Sequence, residues 1–378
     1  ALFRHRQPAM KIALIYLGRR GAGLPISREL ARQLEKTDQV LAVLSQAAAT
    51  GANWDELNAE RITTSTYQNT LQAAWSWIEG SRIRNLAMQI AAWKPDVLLF
   101  PMFYTWNPFL QIRLRQVPSV VAVHDPQPHP GLSDRLFQWM ENSSIRQATR
   151  CLVFSQSLAP ALTKRGCPPD RIDTINLGVL SYAGIPSQAL EPPGRETPGI
   201  PTFLFFGRIT AYKGLDILLA AFQQVRQRHP ARLLVAGDGS LRPYRGLTAA
   251  LAGVEVINRW IPDEEIPAIF QQADIVVLPY TSASQSGVIP IAAQYSLPVI
   301  ATRTGGIPEQ ITDGESGLLV EAGSVEQLRG AMERLLVDPA LGRQLGQQLQ
   351  HDFQDKFSWQ QTAAKVRACL AKACDLIT

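Results

Sequence analysis

The stretch ADIVVLPYTSASQSGVIPIAAQ, residues 273–294, joins an apolar run, a loop of small polar residues and a second apolar run. The first run, ADIVVLPY (273–280), is apolar almost throughout and does not alternate, which is the pattern of a strand covered on both faces. The loop SASQSGVIP (282–290) runs into the apolar IAAQ, where a helix is expected to begin. Strand, side-chain-poor loop and helix make one βα unit. Such a loop offers backbone N–H groups at a helix start, where a phosphate is readily held. An ordinary strand-to-helix turn is the competing reading, and the rest of the chain has to decide.

The same unit recurs on both sides of this stretch. In the first half the strand candidates are KIALIYL (11–17), QVLAVLS (39–45), DVLLFPM (96–102), SVVAVH (119–124), CLVFS (151–155) and DTINLG (173–178). In the second half they are PTFLFFG (201–207), RLLVAG (232–237), VEVIN (254–258), DIVVLPY (274–280), PVIATR (298–303) and GLLVE (317–321). Helical patterns separate them. In GLDILLAAFQQVRQRH (214–229), Leu215, Leu218, Leu219, Phe222 and Val225 share one face. This order predicts an α/β fold of two doubly wound, parallel-sheet, Rossmann-like domains facing a cleft. A length of 378 residues, too long for one ordinary core, agrees with two domains.

The first domain is expected over 10–180. The segment 181–201 lacks periodicity and is dense in Gly and Pro, so it reads as the linker. The second domain follows over 202–354. The last stretch, 355–378, reads as a helix with no strand after it, expected to cross back to the first domain. Ligands are expected at the C-terminal ends of the strands.

Composition narrows the function. With 46% hydrophobic and 18% charged residues the chain is globular. No apolar run approaches the roughly 20 residues of a membrane span. ALFRHRQPAM followed by a short apolar run and GRR makes no export signal, and residues 1–9 read as a ragged start ahead of Met10. Cys151, Cys167, Cys369 and Cys374 fit neither a metal spacing nor a disulfide framework. With the five histidines scattered, no metal and no cofactor is expected, and reduced cysteines point to the cytoplasm. Residues 1–180 hold 20 Lys and Arg against 13 Asp and Glu, and residues 181–378 hold 17 against 19. The basic first half suits an anionic partner: a membrane surface, a lipid-linked diphosphate or an acidic polymer. Nucleic acid is disfavoured, because the basic residues are not interleaved with aromatics.

Several candidate residues sit where strands end. Gly207, Arg208 and Lys213 lie in FFGRITAYKG (205–214), and a forked guanidinium with an ammonium suits a diphosphate. VAGDGS (235–240) adds Gly237. The opening loop offers amides at Gln285, Ser286, Gly287 and Val288, with the Ser284 and Ser286 hydroxyls beside them. In ATRTGGIPE (301–309), Glu309 falls in the first turn of a short helix. In the first half, His124 ends a strand and opens HDPQPHPG (124–131), which also brings Asp125 and His129. Trp75, Trp77, Trp93, Trp106 and Trp139 are expected to pack in the core.

In order, GRITAYKG, VAGDGS, NRWI (258–261), SQSGVIPIA, PVIATRTGGIPE and DGESGLLV (313–320) resemble the retaining glycosyltransferases of family 4, of GT-B architecture. GRRGAG (18–23) and VAVHD (121–125) resemble the same family more loosely. The resemblance implies a nucleotide-sugar donor, with Arg208 and Lys213 on its diphosphate and the amides of Ser286, Gly287 and Val288 on the distal phosphate. Arg259, Trp260 and Ile261 would flank the base. His124 would meet the transferred sugar, and Gly21 and Gly23 would let the first-domain loop approach it. Many members carry two glutamates eight residues apart in this loop. Here the positions hold Ala283 or Ser284 and Ile291 or Ala292, and a sub-group resembling this sequence has SQSG there. Gln285 or Gln294 stands as a candidate replacement.

The implied activity is metal-independent hexosyl transfer from a nucleotide-sugar, uridine being the first choice of base. The acceptor would be a glycan or lipid-linked molecule in polysaccharide biosynthesis, with the inner face of the membrane as a candidate place of work. Two alternatives stay open. One is an epimerase-like enzyme acting on nucleotide-sugars. The other is a two-lobed sugar-binding protein without catalysis.

Overall fold

The computed structural model describes residues 8–19, 23–50, 54–66, 80–124, 135–176, 178 and 199–376. The chain divides into two compact units, Ala1–Gly178 with Trp359–Thr378, and Val179–Ser358. Most of the proposed linker, through residue 198, lies outside the described residues.

The first unit begins with β1 (Lys11–Tyr16), α1 (Gly23–Leu34), β2 (Gln39–Ser45), β3 (Glu60–Thr64), α2 (Gly80–Ala92) and β4 (Val97–Phe100). It continues with α3 (Asn107–Arg113), β5 (Ser119–Val123), α4 (Arg135–Gln147), β6 (Arg150–Val153) and β7 (Ile172–Thr174). Its seven strands run parallel in the order β3-β2-β1-β4-β5-β6-β7. The sequence pattern discloses six of them. The seventh, β3, reads ERITT and pairs only with β2 at the sheet edge. An edge strand left largely in solvent needs no apolar run, so periodicity misses it.

The second unit contains β8 (Thr202–Phe206), α5 (Leu215–Arg226), β9 (Arg232–Ala236), β10 (Val254–Ile257), β11 (Ile275–Leu278) and α6 (Val288–Gln294). Next come β12 (Val299–Thr302), α7 (Ile307–Gln310), β13 (Leu318–Val320), α8 (Val325–Val337) and α9 (Pro339–Lys356). Its six parallel strands run β10-β9-β8-β11-β12-β13. The apolar face of α5 is fully buried, as its spacing predicts. The chain therefore has the fold class read from its sequence, two Rossmann-like parallel sheets.

In each sheet the strand order reverses once, between β1 and β4 and between β8 and β11. At such a reversal the following helices leave to opposite faces, and the loops at the strands' C-terminal ends leave a crevice.

The helical pattern read over 355–378 is split. Helix α9 runs through Lys356, and α10 (Trp359–Asp375) belongs to the first unit, packed on α1 and on β4, β5 and β6. Polar contacts fix it. Arg367 Nε donates to Asp38 Oδ2 at 2.8 Å and its Nη2 to Oδ1 at 3.0 Å, while the Met10 N–H donates to the same Oδ1 at 2.9 Å. Lys372 and Arg150 both bond the Asp173 carboxylate, at 2.7 and 2.6 Å. Burial pushes the Asp173 carboxyl up, but these two cations pull it below its ordinary range.

The Asp38 carboxylate is fully buried. Arg367→Met should therefore strand a buried charge and lower stability by about 3 kcal/mol, measured by urea unfolding of the full chain. Lys365→Met, on the exposed Asn176 contact of the same helix, should cost less than about 1 kcal/mol.

Candidate functional site

In the second unit the β8 and β11 loops flank the strand-order reversal. The β8 loop first extends the ladder. The Gly207 N–H donates to Ala236 O at 2.9 Å, the Gly237 N–H to Ile257 O at 3.0 Å, and the Ile209 N–H to Asp238 O at 2.8 Å. The loop then turns through a single 3-10 turn, Ala211–Lys213, and ends at Gly214 with φ +69°. A Cβ there would lie 1.9 Å from Pro279 O, so the loop backbone rests directly on the end of β11. The Thr281 N–H completes the junction by donating to Tyr212 O at 2.8 Å.

This contact sets the Lys213 ammonium 3.6 Å from the centroid of the Tyr280 ring. The ring is fully buried, so its position is fixed by the core. A cation over an aromatic face is held without being neutralised. Arg208 is exposed, and neither it nor Lys213 forms an ion pair among the described residues.

The β11 loop is fastened to the β12 turn. Gly305 has φ +52°, and a Cβ there would lie 1.5 Å from Ala283 O. The Gly306 N–H donates to Ser284 O at 3.0 Å. One sequence expectation needs correction at this point, because not all of the loop amides are open. The Ser286 N–H donates to Gln310 Oε1 at 2.9 Å, and the Val288 N–H donates to Ser286 Oγ at 3.3 Å. The Gly287 N–H has no partner among the described residues, and the space where a side chain would stand is empty to 4 Å. Ser284 and Gln285 are half-buried beside it.

After β10, Trp260 is 68% exposed, while Ile261 is buried in the core of this unit and can offer only its backbone. Arg259 is ion-paired with Glu265, and that hydrogen-bonded pair holds the Glu265 carboxyl below its ordinary range. Glu309 is exposed in the first turn of α7. Gln294, at the end of α6, is half-buried.

In the first unit, β1, β4 and β5 bring their loops together. His124 follows β5, and its Nε2 lies 3.1 Å from Pro101 O, the residue after β4. A carbonyl only accepts, so Nε2 carries the proton. The imidazole also packs on the Phe154 ring at 4.2 Å between centroids. Gly23 opens α1, where a Cβ would crowd the Tyr16 ring and Met102. Burial pushes the Tyr16 hydroxyl up to about 12. Gly21, Asp125 and His129 lie outside the described residues, as do Trp75 and Trp77. Trp106 is in the core as expected, but Trp139 is 58% exposed and is no core residue.

Two family models divide the chain between them. A glycosyl transferase 4-like domain matches residues 22–178, and the model described as glycosyl transferases group 1 matches residues 200–338. Both halves of the chain thus match glycosyltransferase domains, the second half those of group 1. It is 31% identical over 225 residues to the D-inositol 3-phosphate glycosyltransferase of Corynebacterium aurimucosum, covering 55% of this chain and 53% of that protein. It is 29% identical over 218 residues to a GDP-mannose-dependent phosphatidylinositol monomannoside mannosyltransferase of Mycolicibacterium smegmatis, covering 49% and 57%. The matched region thus spans about half the length of these relatives. Among solved structures, Anabaena HepE in complex with UDP and glucose has the same fold, with a TM-score of 0.72 at 17% identity over 96% of this chain and all of that one.

Two residues of the candidate site escaped the sequence reading. Tyr280 looks like the end of an apolar strand, and Gln310 stands 24 residues from the serine that it bonds. Nothing in the local sequence marks either.

Gly305→Ala puts a Cβ into the Ala283 carbonyl at a positive φ. It should lower stability by at least about 2 kcal/mol in a urea titration. Gly287→Ala, where the space is open, should stay within about 1 kcal/mol of the native chain.

Proposed function

We propose that the chain is a retaining hexosyltransferase that takes a sugar from a nucleotide-sugar, uridine being the preferred base, and passes it to a glycan or lipid-linked acceptor in polysaccharide biosynthesis. The observation that carries this reading is a pair of cations, Arg208 and Lys213, that form no ion pair among the described residues, at the strand-order reversal. They share that edge with a loop presenting the Gly287 amide. A diphosphate supplies the charge these groups lack.

On this reading Lys213 and Arg208 hold the diphosphate, and Ser284, Gln285, Gly287 and the Ser286 and Val288 backbone shape the pocket for its distal phosphate. Gly207 and Gly237 keep the floor low, and Trp260 offers a face to the base beside Arg259 and Ile261. Glu309 serves the sugar, and Gly21 and Gly23 keep the donor-side role that the family resemblance gives them. As the bond from the anomeric carbon to the phosphate oxygen breaks, negative charge collects on the leaving phosphate. Fixed cations and an aimed N–H stabilise that charge more than they stabilise the ground state. The acceptor oxygen attacks from the face the phosphate leaves, and its proton passes to the leaving phosphate. His124 then positions the sugar, with its Nε2 proton already committed to Pro101 O, and Asp125 and His129 serve the acceptor side. With two cations in place, transfer is expected to need no divalent metal.

The first unit carries a surface suited to a lipid-linked acceptor. Helices α2, α3 and α4 share one core with the first sheet. Of nine exposed large hydrophobics among the described residues, five lie on these three helices: Met88, Ile112, Leu136, Phe137 and Trp139. Exposed Arg84, Arg113, Arg135 and Arg146 accompany them, and the helices' one acid, Glu141, is ion-paired to Arg165. Apolar side chains among arginines that form no ion pair among the described residues fit an anionic membrane surface.

The test is a thermal-shift and hydrolysis panel of UDP-, GDP- and ADP-sugars, run with and without EDTA. A donor at about 100 times its dissociation constant should add roughly 2.7 kcal/mol of stability. Lys213→Ala should abolish both shift and hydrolysis, and EDTA should change neither. A panel in which no nucleotide-sugar raises the melting point would sink the transferase reading. Separately, the chain should float with vesicles containing phosphatidylglycerol and not with pure phosphatidylcholine. Trp139→Ser with Arg135→Ser should weaken flotation while leaving the donor shift unchanged.

A further inference from the structure

We infer that Gln310 is a positioning residue for the phosphate loop, and that its carboxamide aims the Gly287 N–H. The inference rests on the donor-binding reading above.

Gln310 is 6% exposed and Ser286 is 2% exposed, so their contact is sealed from water. The Gln310 Oε1 accepts from the Ser286 N–H at 2.9 Å, and its Nε2 donates to Ser286 O at 3.1 Å. The orientation of the amide follows from its partners, because an N–H requires an acceptor and a carbonyl a donor. Among side chains of this length, a carboxamide answers both without first having to take up a proton.

The second bond has a consequence one atom further on. Ser286 C=O and Gly287 N–H belong to the same peptide plane, and in a trans peptide they point in opposite directions. Holding the carbonyl inward against Gln310 therefore turns the Gly287 N–H outward. Outward is the open side, where Gly287 is exposed and nothing beyond its chain neighbours stands within 4 Å of its missing Cβ. The first bond fixes the preceding peptide plane in the same way. With two adjacent planes fixed, the loop does not have to reorient its amide when a phosphate arrives, and preorganisation of this kind raises both affinity and transition-state stabilisation.

The surroundings argue that the amide is present for this geometry. Ile307 and Ile311 on the same segment, and Ile289 on α6, pack in the apolar core of the unit. An apolar residue at 310 would fill that core without the cost of burying an amide. What it would not do is hold Ser286 from both sides.

The experiment compares the native chain with Gln310→Met and Gln310→Glu, reading dissociation constants for UDP, GDP and ADP by calorimetry at about pH 8 and about pH 5. Circular dichroism of each variant accompanies the titrations. Gln310→Met satisfies neither bond and should weaken the nucleotide bound by the native chain on the order of tenfold or more at both pH values. Gln310→Glu is the discriminating variant. As a carboxylate it accepts from the Ser286 N–H but repels the Ser286 carbonyl, so binding should be weak at the higher pH. As a carboxylic acid it both accepts and donates, so burial, which favours the neutral form, should let binding recover toward native at the lower pH. Dividing by the native chain at each pH removes the titration of the nucleotide and of Glu309, Asp313, Lys213 and the remaining charges nearby. A variant-to-native ratio that does not change with pH, or native-like binding by Gln310→Met, overturns the inference. If Gln310→Met does not fold, the pH-dependent ratio of Gln310→Glu still decides. If the native chain binds none of the three nucleotides, the donor reading has failed and the positioning role falls with it.

Discussion

A parallel sheet has a polarity, and the candidate site depends on it. Every described strand of each unit points the same way, so the loops that carry Arg208, Trp260, Ser286 and Glu309 all emerge at one edge of the second sheet. The reversal of strand order between β8 and β11 then decides which of those loops become neighbours. The β8 loop, with its cations, rests on the start of the β11 loop that leads to Gly287. No local interaction produces this gathering of residues so far apart in the chain. It follows from hydrogen-bond pairing in a sheet whose helices must cover both faces.

Given that edge, close backbone contact does the rest. Gly214 lets the β8 loop rest on the Pro279 carbonyl, and Gly305 lets the β12 turn rest on the Ala283 carbonyl. Side chains at either place would hold the loops apart. With the loops in contact, a buried tyrosine ring supports an ammonium and a buried amide grips a serine backbone from both directions. Neither support is ionic. A carboxylate would fasten Lys213 more firmly but would cancel its charge. The quadrupole of an aromatic ring holds the cation and leaves its charge available.

The first unit is organised by the same polarity but carries a different surface. Its C-terminal helix is locked by Arg367 on Asp38 and by Lys372 on Asp173, the latter sharing its carboxylate with Arg150. Those contacts use up acids close to the helix. On α2, α3 and α4 the exposed Arg84, Arg113, Arg135 and Arg146 have no ion pair among the described residues. Part of the basic excess over 1–180 thus lies where exposed apolar side chains also lie. No described helix is long and apolar enough to cross a membrane.

The sequence by itself determined the fold class, because strands buried on both faces must be apolar throughout and the helices between them must be amphipathic. It also located the cationic loop and the small-residue loop, since both follow directly on strands whose ends are legible. It did not disclose β3, whose edge position removes the need for an apolar pattern, or the division of 355–378 between α9 and α10. Nor did it show which loop amides are free. That was decided by the tertiary structure, which brings Gln310 to Ser286 and Tyr280 under Lys213. The physical reason is range. Periodicity reports how each segment meets its own layer, whereas a hydrogen bond between residues 24 apart depends on how two loops pack once the sheet has set their ends.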